Sequence, residues 1–339
     1  MSMSKKQLMD DITADVKDII STDFTFYKTR AVPNSEDSNL TFERGAEKKG
    51  KSIETCVLYV DIRNSVALSQ LNINLMGKIY TAFIKGVIKA ADHHSGYIRN
   101  IIGDRVMVVF PPKGCVQNAV NCAITINHLS KYIINEEFSG VNFKCGIGID
   151  FGRIRVIKVG VTKYGKERID NKNLVWVGRP ANIASRLTDI ANKTVTKEYY
   201  SVRFNPFNPR KFLGSLFGER NTFTDLLNKS DTPQKDEPLY LLHQTQTKEL
   251  NSSEFAASIS KYNHENSLFY SGGNLIDYEK RNKKVEYKPI LITNEVYKGL
   301  KKELPKDISI VNNWWHKQDV EVTDYNGDIW GSGLTWKLN

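Results

Sequence analysis

Asp61 closes the apolar run IETCVLYVD (53–61), and Asp104 sits beside Gly103 at the turn between YIRNII (97–102) and RVMVVF (105–110). A carboxylate at the end of one strand and another at the tip of a hairpin laid beside it converge on one rim of a sheet. Paired carboxylates with a free backbone carbonyl between them, here that of Ile62, are the means by which a protein holds one or two Mg²⁺ or Mn²⁺ ions against substrate phosphates. Taken singly, such an aspartate equally well ends a strand or fills a turn. Beyond Asp61, Arg63 and Asn64 lead toward a helix, whose first N–H groups and positive dipole end suit a polyphosphate. Asn182 and Arg186 stand four apart in ANIASRLTDIA and share one helix face, with Ile183, Leu187 and Ile190 on the buried one. An exposed pair of that kind is also ordinary solvated surface.

The elements that must position these residues follow from periodicity. Leu8, Ile12, Val16 and Ile19 predict an amphipathic helix over 5–22, packed on the main domain or on a partner chain. The stretch 31–52, rich in Pro, Asn, Ser, Glu, Gly and Lys, reads as a linker. A strand over 53–61 precedes a helix from Ala67 to His93, with Leu68, Leu71, Leu75, Ile79, Phe83 and Val87 on one face. The hairpin follows, then a helix over 114–132. FKCGIGIDFG (143–152) and RIRVIKVG (153–160) read as two paired strands, LVWVG (174–178) as one more, and Pro180 opens the helix of Asn182. This order is the split βαβ plan, so the expected fold is α+β, ferredoxin-like, with helices on one face of the sheet. Turn-rich sequence over 194–285 reads as an insertion before the last strand and helix, KPILITNEVYKGLKKEL (288–304). The expected organisation is 1–30 N-terminal helix, 31–52 linker, 53–193 core, 194–285 insertion and 286–339 the rest of the core.

VLYVDIRNS (57–65), GYIRNIIGDRVMVVF (96–110), VWVGRPANIASRL (175–187) and PILITNEVYKGL (289–300) together resemble the class III adenylyl and guanylyl cyclase family. The resemblance implies a homodimer with active sites at its interface, where Asp61, the Ile62 carbonyl and Asp104 of one chain face Asn182 and Arg186 of the other. By analogy the two aspartates bind two divalent metals, Mn²⁺ or Mg²⁺. Arg186 stabilises charge on the pentavalent phosphorus, and Asn182 orients the ribose. In-line displacement at phosphorus does need positioning and charge neutralisation above all.

Where the family's adenylyl members carry lysine and aspartate against the base, and its guanylyl members glutamate and a small residue, this chain has Asn100 and Val175. Val175 cannot hydrogen-bond a purine edge, and Asn100 presents either a donor or an acceptor. Tyr59 stands where most of the family has phenylalanine. The combination resembles the bacterial pyrimidine cyclases of Pycsar anti-phage systems, implying UTP or CTP as substrate and a cyclic nucleotide read by a separate effector protein; a Tyr59 hydroxyl, which donates readily to a uracil carbonyl, puts UTP first and CTP second. The alternatives are a purine cyclase of the same fold and a non-catalytic nucleotide- or nucleic-acid-binding module.

The formal net charge of +10 suits nucleic acid, an anionic surface or a polyphosphate alike. Residues 197–220 interleave cations with aromatics in the manner of single-strand binders, but an insertion packing its own rings is the expected account, and no nucleic-acid partner is expected. Cys56, Cys115, Cys122 and Cys145 show no metal-ligand spacing and read as buried free thiols. No run reaches the roughly 20 apolar residues of a membrane span, and the start lacks a secretory signal's apolar stretch. A soluble, cytoplasmic protein is expected.

Overall fold

The computed structural model describes residues 3–64, 72–163, 166–217, 238–261 and 268–338. The chain divides into two units, Met1–Lys193 with Glu286–Asn339, and Thr194–Val285. In chain order the strands are β1 (Phe24–Lys28), β2 (Lys48–Ile62), β3 (Tyr97–Ile102), β4 (Arg105–Val109), β5 (Cys145–Lys163), β6 (Lys166–Val177), β7 (Thr194–Pro206), β8 (Gln246–Asn251), β9 (Ile259–Lys261), β10 (Leu268–Tyr270), β11 (Gly273–Glu286), β12 (Ile290–Thr293), β13 (His316–Gln318) and β14 (Ile329–Ser332). The helices that shape the first unit are α1 (Lys5–Ser21), α2 (Ile73–His93), α3 (Cys115–His128), α4 (Arg179–Ile190) and α5 (Asn294–Glu303).

The first unit is built on a sheet ordered β13-β14-β12-β5-β2-β4-β3, with β1 and β6 paired to β2 and β5. Its centre, β5-β2-β4-β3, is antiparallel throughout and carries α2 and α3 as crossovers, which is the ferredoxin-like α+β plan. Alternation along β2 sends Cys56, Leu58, Val60 and Ile62 into the core beneath α2, α3 and α5, together with Ile79, Phe83, Ala119, Ala123, Val296 and Leu300. Val57 faces the other way, into a smaller cluster with Ile154, Met107, Ala181 and Ala184. Helices therefore cover both faces: α2, α3 and α5 on one and α4 on the other, a correction to the one-sided sheet expected from the sequence.

The reason α4 fits is written in CGIGI. Ile147 and Ile149 enter the main core, while Gly146 and Gly148 point at α4 and its following turn. A Cβ on Gly148 would strike the Ala184 carbonyl, and one on Gly146 would strike the Arg63 guanidinium and the Ala191 carbonyl. Glycine at both positions, with Ala181 and Ala184 opposite, lets helix and strand approach closely.

Four further elements differ from the sequence expectation. Residues 145–160 are not two paired strands but part of one strand, β5, which takes β2 along Cys145–Val156 and β6 from Arg155 onward. Partners on both sides of β5, β2 on one and β12 and β6 on the other, supply hydrogen bonds that keep its backbone extended. The helix expected from Ala67 starts at Ile73 with Asn72 as its N-cap; Leu68 and Leu71 lie outside the described residues. Helix α1 buries no residue of its own: Ile12, Val16 and Ile19 are exposed. It is tied on by charge, through Arg44 to Asp11 and Asp15 and through the buried Lys48 to Asp18 at 2.6 Å. The 31–52 stretch is correspondingly ordered, with Leu40 buried and β2 beginning at Lys48.

The second unit is a five-stranded sheet, β8-β7-β11-β10-β9. Its aromatics pack on one another, Tyr200 stacking on Phe255 at 3.9 Å and Phe204 meeting Tyr270 at 4.8 Å. All four cysteines are buried free thiols, and no helix among the described residues is long and apolar enough to cross a membrane.

Candidate active site

Strand parity decides which side chains meet. With Val60 and Ile62 in the core, Tyr59 and Asp61 point to the face that α4 covers. Tyr59 pairs with Met107, and Met107 in turn with Asn100, so the three form one cross-strand row. A register shift between Ile98 and Asn100 leaves Arg99 as the extra residue of a bulge and brings Asn100 into that row. Tyr59 is half-buried against Val57 and Met107. Burial pushes its phenol pKa up, with the charge of Arg105 pulling the other way, so the hydroxyl stays a donor at neutral pH. Asn100 is exposed.

The carboxylates lie one step along the same face. Asp61, its side chain 16% exposed, meets Arg105, whose Nη2 stands 2.8 Å from Asp61 Oδ2. Gly103, in the left-handed region at φ 61°, makes the tight turn that presents Asp104. Burial first, and then the neighbouring Asp61 carboxylate, raise the Asp104 pKa. Asp104 Oδ2 is buried with no hydrogen-bond partner. From α2, Tyr80 approaches the same pair: after burial, Asp104 and Asp61 are what raise its pKa.

This donor set fits a divalent cation. An orphaned, buried carboxylate oxygen beside a second carboxylate is costly unless a cation pairs with it. Among the described residues no three His, Cys, Asp or Glu side chains are grouped so that they could hold a metal ion by themselves, so backbone oxygen, water and phosphate oxygens would complete the coordination. That is the habit of Mg²⁺ and Mn²⁺ in phosphate chemistry rather than of a closed structural site.

Arg63 is buried, 6% exposed. Its Nε donates to the Ala191 carbonyl at 2.7 Å and its Nη1 lies 3.8 Å from Asp61 Oδ2. Burial lowers its pKa and Asp61 opposes that. Ile62 sets its side chain in the core, and the Arg63 N–H after it is taken by the Lys144 carbonyl at 2.7 Å. Asn64 is exposed with φ 56°. Residues 65–71, where a helix is expected to follow, lie outside the described residues, and α2 runs from Ile73.

Asn182 and Arg186 project from the outer face of α4, while Ile183 and Leu187 are buried. Arg186 Nη1 donates to Asp324 Oδ2 at 2.7 Å and also to the Thr323 carbonyl. Val175, 40% exposed, pairs with Ile157 on the β5–β6 arm, outside the Tyr59 row. No hydrogen bond or ion pair among the described residues joins Asn182, Arg186 or Val175 to Asp61 or Asp104 of their own chain. The start of α4 is anchored separately. Asp150, fully buried on β5, accepts from Thr293 Oγ1 at 2.7 Å and lies 3.5 Å from Arg179 Nε, and burial pushes it up to about 6.

Sequence reasoning missed Arg105, Ser185 and Asp189. Arg105 Nη1 donates to Ser185 Oγ at 2.9 Å, and its Nη2 reaches Asp189 as well as Asp61. The signal was present in strand parity, which puts Arg105 on the Asp61 face, and in the four-residue spacing of Ser185 and Asp189.

No protein-family model matches the chain. It is 29% identical over 202 residues to the uridylate cyclase of Burkholderia cepacia, covering 57% of this chain and 83% of that protein. To the uridylate cyclase of Gulbenkiania mobilis it is 28% identical over 207 residues, covering 54% and 74%. To that of Xanthomonas perforans it is 28% identical over 190 residues, covering 54% and 77%. Among solved structures, the adenylyl cyclase CyaB from P. aeruginosa aligns over 83% of this chain and 94% of its own, at 15% identity and a TM-score of 0.43. The chain is thus similar in sequence, over 54–57% of its length, to bacterial uridylate cyclases.

Proposed function

We propose that the chain is a pyrimidine nucleotide cyclase, acting on UTP with CTP second, and that two copies build each active site. The observation that carries this is the Tyr59–Met107–Asn100 row set beside the Asp61–Asp104 pair: a base seat with a phenol and an amide, one step from a cation-holding rim. In the reaction the ribose 3′-oxygen bonds to the α-phosphorus, the α–β phosphoanhydride bond breaks, pyrophosphate leaves, and the hydroxyl proton passes to solvent. Asp61 and Asp104, with the Ile62 carbonyl, would hold Mn²⁺ or Mg²⁺, which supplies charge neutralisation at the triphosphate and acidifies the 3′-hydroxyl.

The remaining roles belong to side chains. Tyr59 limits the room for a base and offers its hydroxyl to a pyrimidine carbonyl, and Asn100 bonds the same edge. Val175 lies outside this row in its own chain and would meet the base only from the partner, where it offers no hydrogen bond, so a purine's edge groups would be left unpaired. Arg63, fixed on Ala191 beside Asp61, adds positive potential at the rim, and Asn64 marks the way out toward the phosphates. Because Asn182 and Arg186 point away on α4, they serve the partner's rim, Arg186 stabilising charge on phosphorus after leaving Asp324 and Asn182 orienting the ribose. The cyclic product would act as an anti-phage second messenger read by a separate effector.

Incubating the chain with Mn²⁺ and each of the four nucleoside triphosphates, with products identified by mass spectrometry, tests the proposal. A 3′,5′-cyclic pyrimidine nucleotide and pyrophosphate are expected. No cyclic product from any triphosphate overturns the enzyme reading.

A further inference from the structure

Arg105 occupies the carboxylate rim from within. It follows the Gly103–Asp104 turn directly, and its guanidinium has three anchors: Asp61 Oδ2 at 2.8 Å, Ser185 Oγ at 2.9 Å and Asp189 Oδ1. Asp61 is therefore already paired, through Oδ2, with a cation from its own chain, while Asp104 beside it keeps a buried oxygen without a partner. One carboxylate is capped and the other open. The two carboxylate anchors of Arg105 differ in setting: Asp61 is 16% exposed on β2, Asp189 51% exposed on α4. A guanidinium has five donors in a rigid fork and keeps its charge throughout the physiological range, so it can give up one anchor and retain the others.

Resting on the reading of Asp61 and Asp104 as the cation-holding pair, we propose that Arg105 is a gating counter-ion. It caps Asp61 until a divalent cation displaces it, and Asp189 with Ser185 then retains it. Arg105 is a positioning residue in this account, acting through Asp61 on one side and through α4, the helix of Asn182 and Arg186, on the other. Cation loading on the rim would thereby be felt by the half-site that α4 presents.

The test is Mn²⁺ binding to the full chain without nucleotide, read from loss of the free-ion electron paramagnetic resonance signal, with thermal melts to establish folding. Arg105→Ala, which uncaps Asp61, is expected to tighten Mn²⁺ binding by about fivefold, the scale of a partly exposed ion pair. Asp189→Asn, which removes the outer anchor and leaves Arg105 on Asp61, is expected to weaken it by a similar factor. In the double variant the effect of Asp189→Asn should vanish. A merely structural role would weaken binding in both single variants. Folded Arg105→Ala with unchanged or weaker binding overturns the proposal, as does Asp189→Asn with unchanged or tighter binding. If Arg105→Ala does not fold, Arg105→Gln, uncharged but polar, is read by the same criterion. Asp61→Ala separates the two levels. Wild-type Mn²⁺ binding in that variant defeats the cation pair itself, whereas binding lost there but unmoved by Arg105 substitution defeats only the gate.

Discussion

Asp104 carries a cost that only a ligand repays. Burial and the adjacent Asp61 raise its pKa, so between the ordinary carboxylate value and the raised one the folded chain holds a proton that the unfolded chain has released. The stability this provides is present at low pH and lost as pH rises through the raised value. Asp104→Asn removes the loss. At pH 7, without metal, the variant should be as stable as the parent or more so, by on the order of 0.5 kcal/mol, while turnover disappears. A denaturant titration paired with an activity assay checks both halves, and marked destabilisation or surviving turnover would refute the assignment.

At the scale of elements, the contact between α4 and β5 decides whether the site exists. A Cβ on Gly148 would meet the Ala184 carbonyl, which is backbone and cannot swing aside. Gly148→Ala should cost about 1–3 kcal/mol and lower activity even where the chain still folds, because α4 carries Ser185, Asp189, Asn182 and Arg186 together; chemical denaturation against the parent measures it. Asp150 gives a pH-dependent counterpart. Raised to about 6 in the folded state, it contributes stability in its neutral form that is lost as pH rises from the ordinary carboxylate range through about 6. Asp150→Asn can still accept from Thr293 and should flatten the pH dependence of melting over that window; an unchanged profile would contradict it. Much of this was legible beforehand. The hairpin 97–110, the α4 face with Ile183 and Leu187 inside, and the return of 288–304 to the sheet all follow from periodicity that tertiary packing reinforces. What stayed hidden depends on partners distant in sequence. Nothing local in GIGIDFGR says that two neighbouring strands will hold it straight, and the alternation in KEYYSVRF became a strand only with β8 and β11 beside it. Arg105 was hidden for the same reason, since its three anchors come from 44 to 84 positions away.

For the whole molecule, the proposed function divides the chemistry between two copies. The carboxylate rim and the Tyr59 row lie together, whereas Arg186 is engaged with Asp324 and Thr323. Asp61→Ala and Arg186→Ala chains, each inactive alone, should regain activity when mixed under conditions of verified subunit exchange, since one interface of the mixed dimer collects an intact set. Continued inactivity would mean that one chain supplies the whole site. The central claim, a base seat shaped for pyrimidines beside a cation-holding rim, is tested most directly by competition. With equimolar UTP, CTP, ATP and GTP and saturating Mn²⁺ in one reaction, cyclic products are quantified together at early times. The account predicts cyclic pyrimidine nucleotides in excess over cyclic purine nucleotides by at least ~100-fold, the effect of unpaired purine groups and steric exclusion at Tyr59; a product mixture dominated by cyclic AMP or cyclic GMP would contradict it.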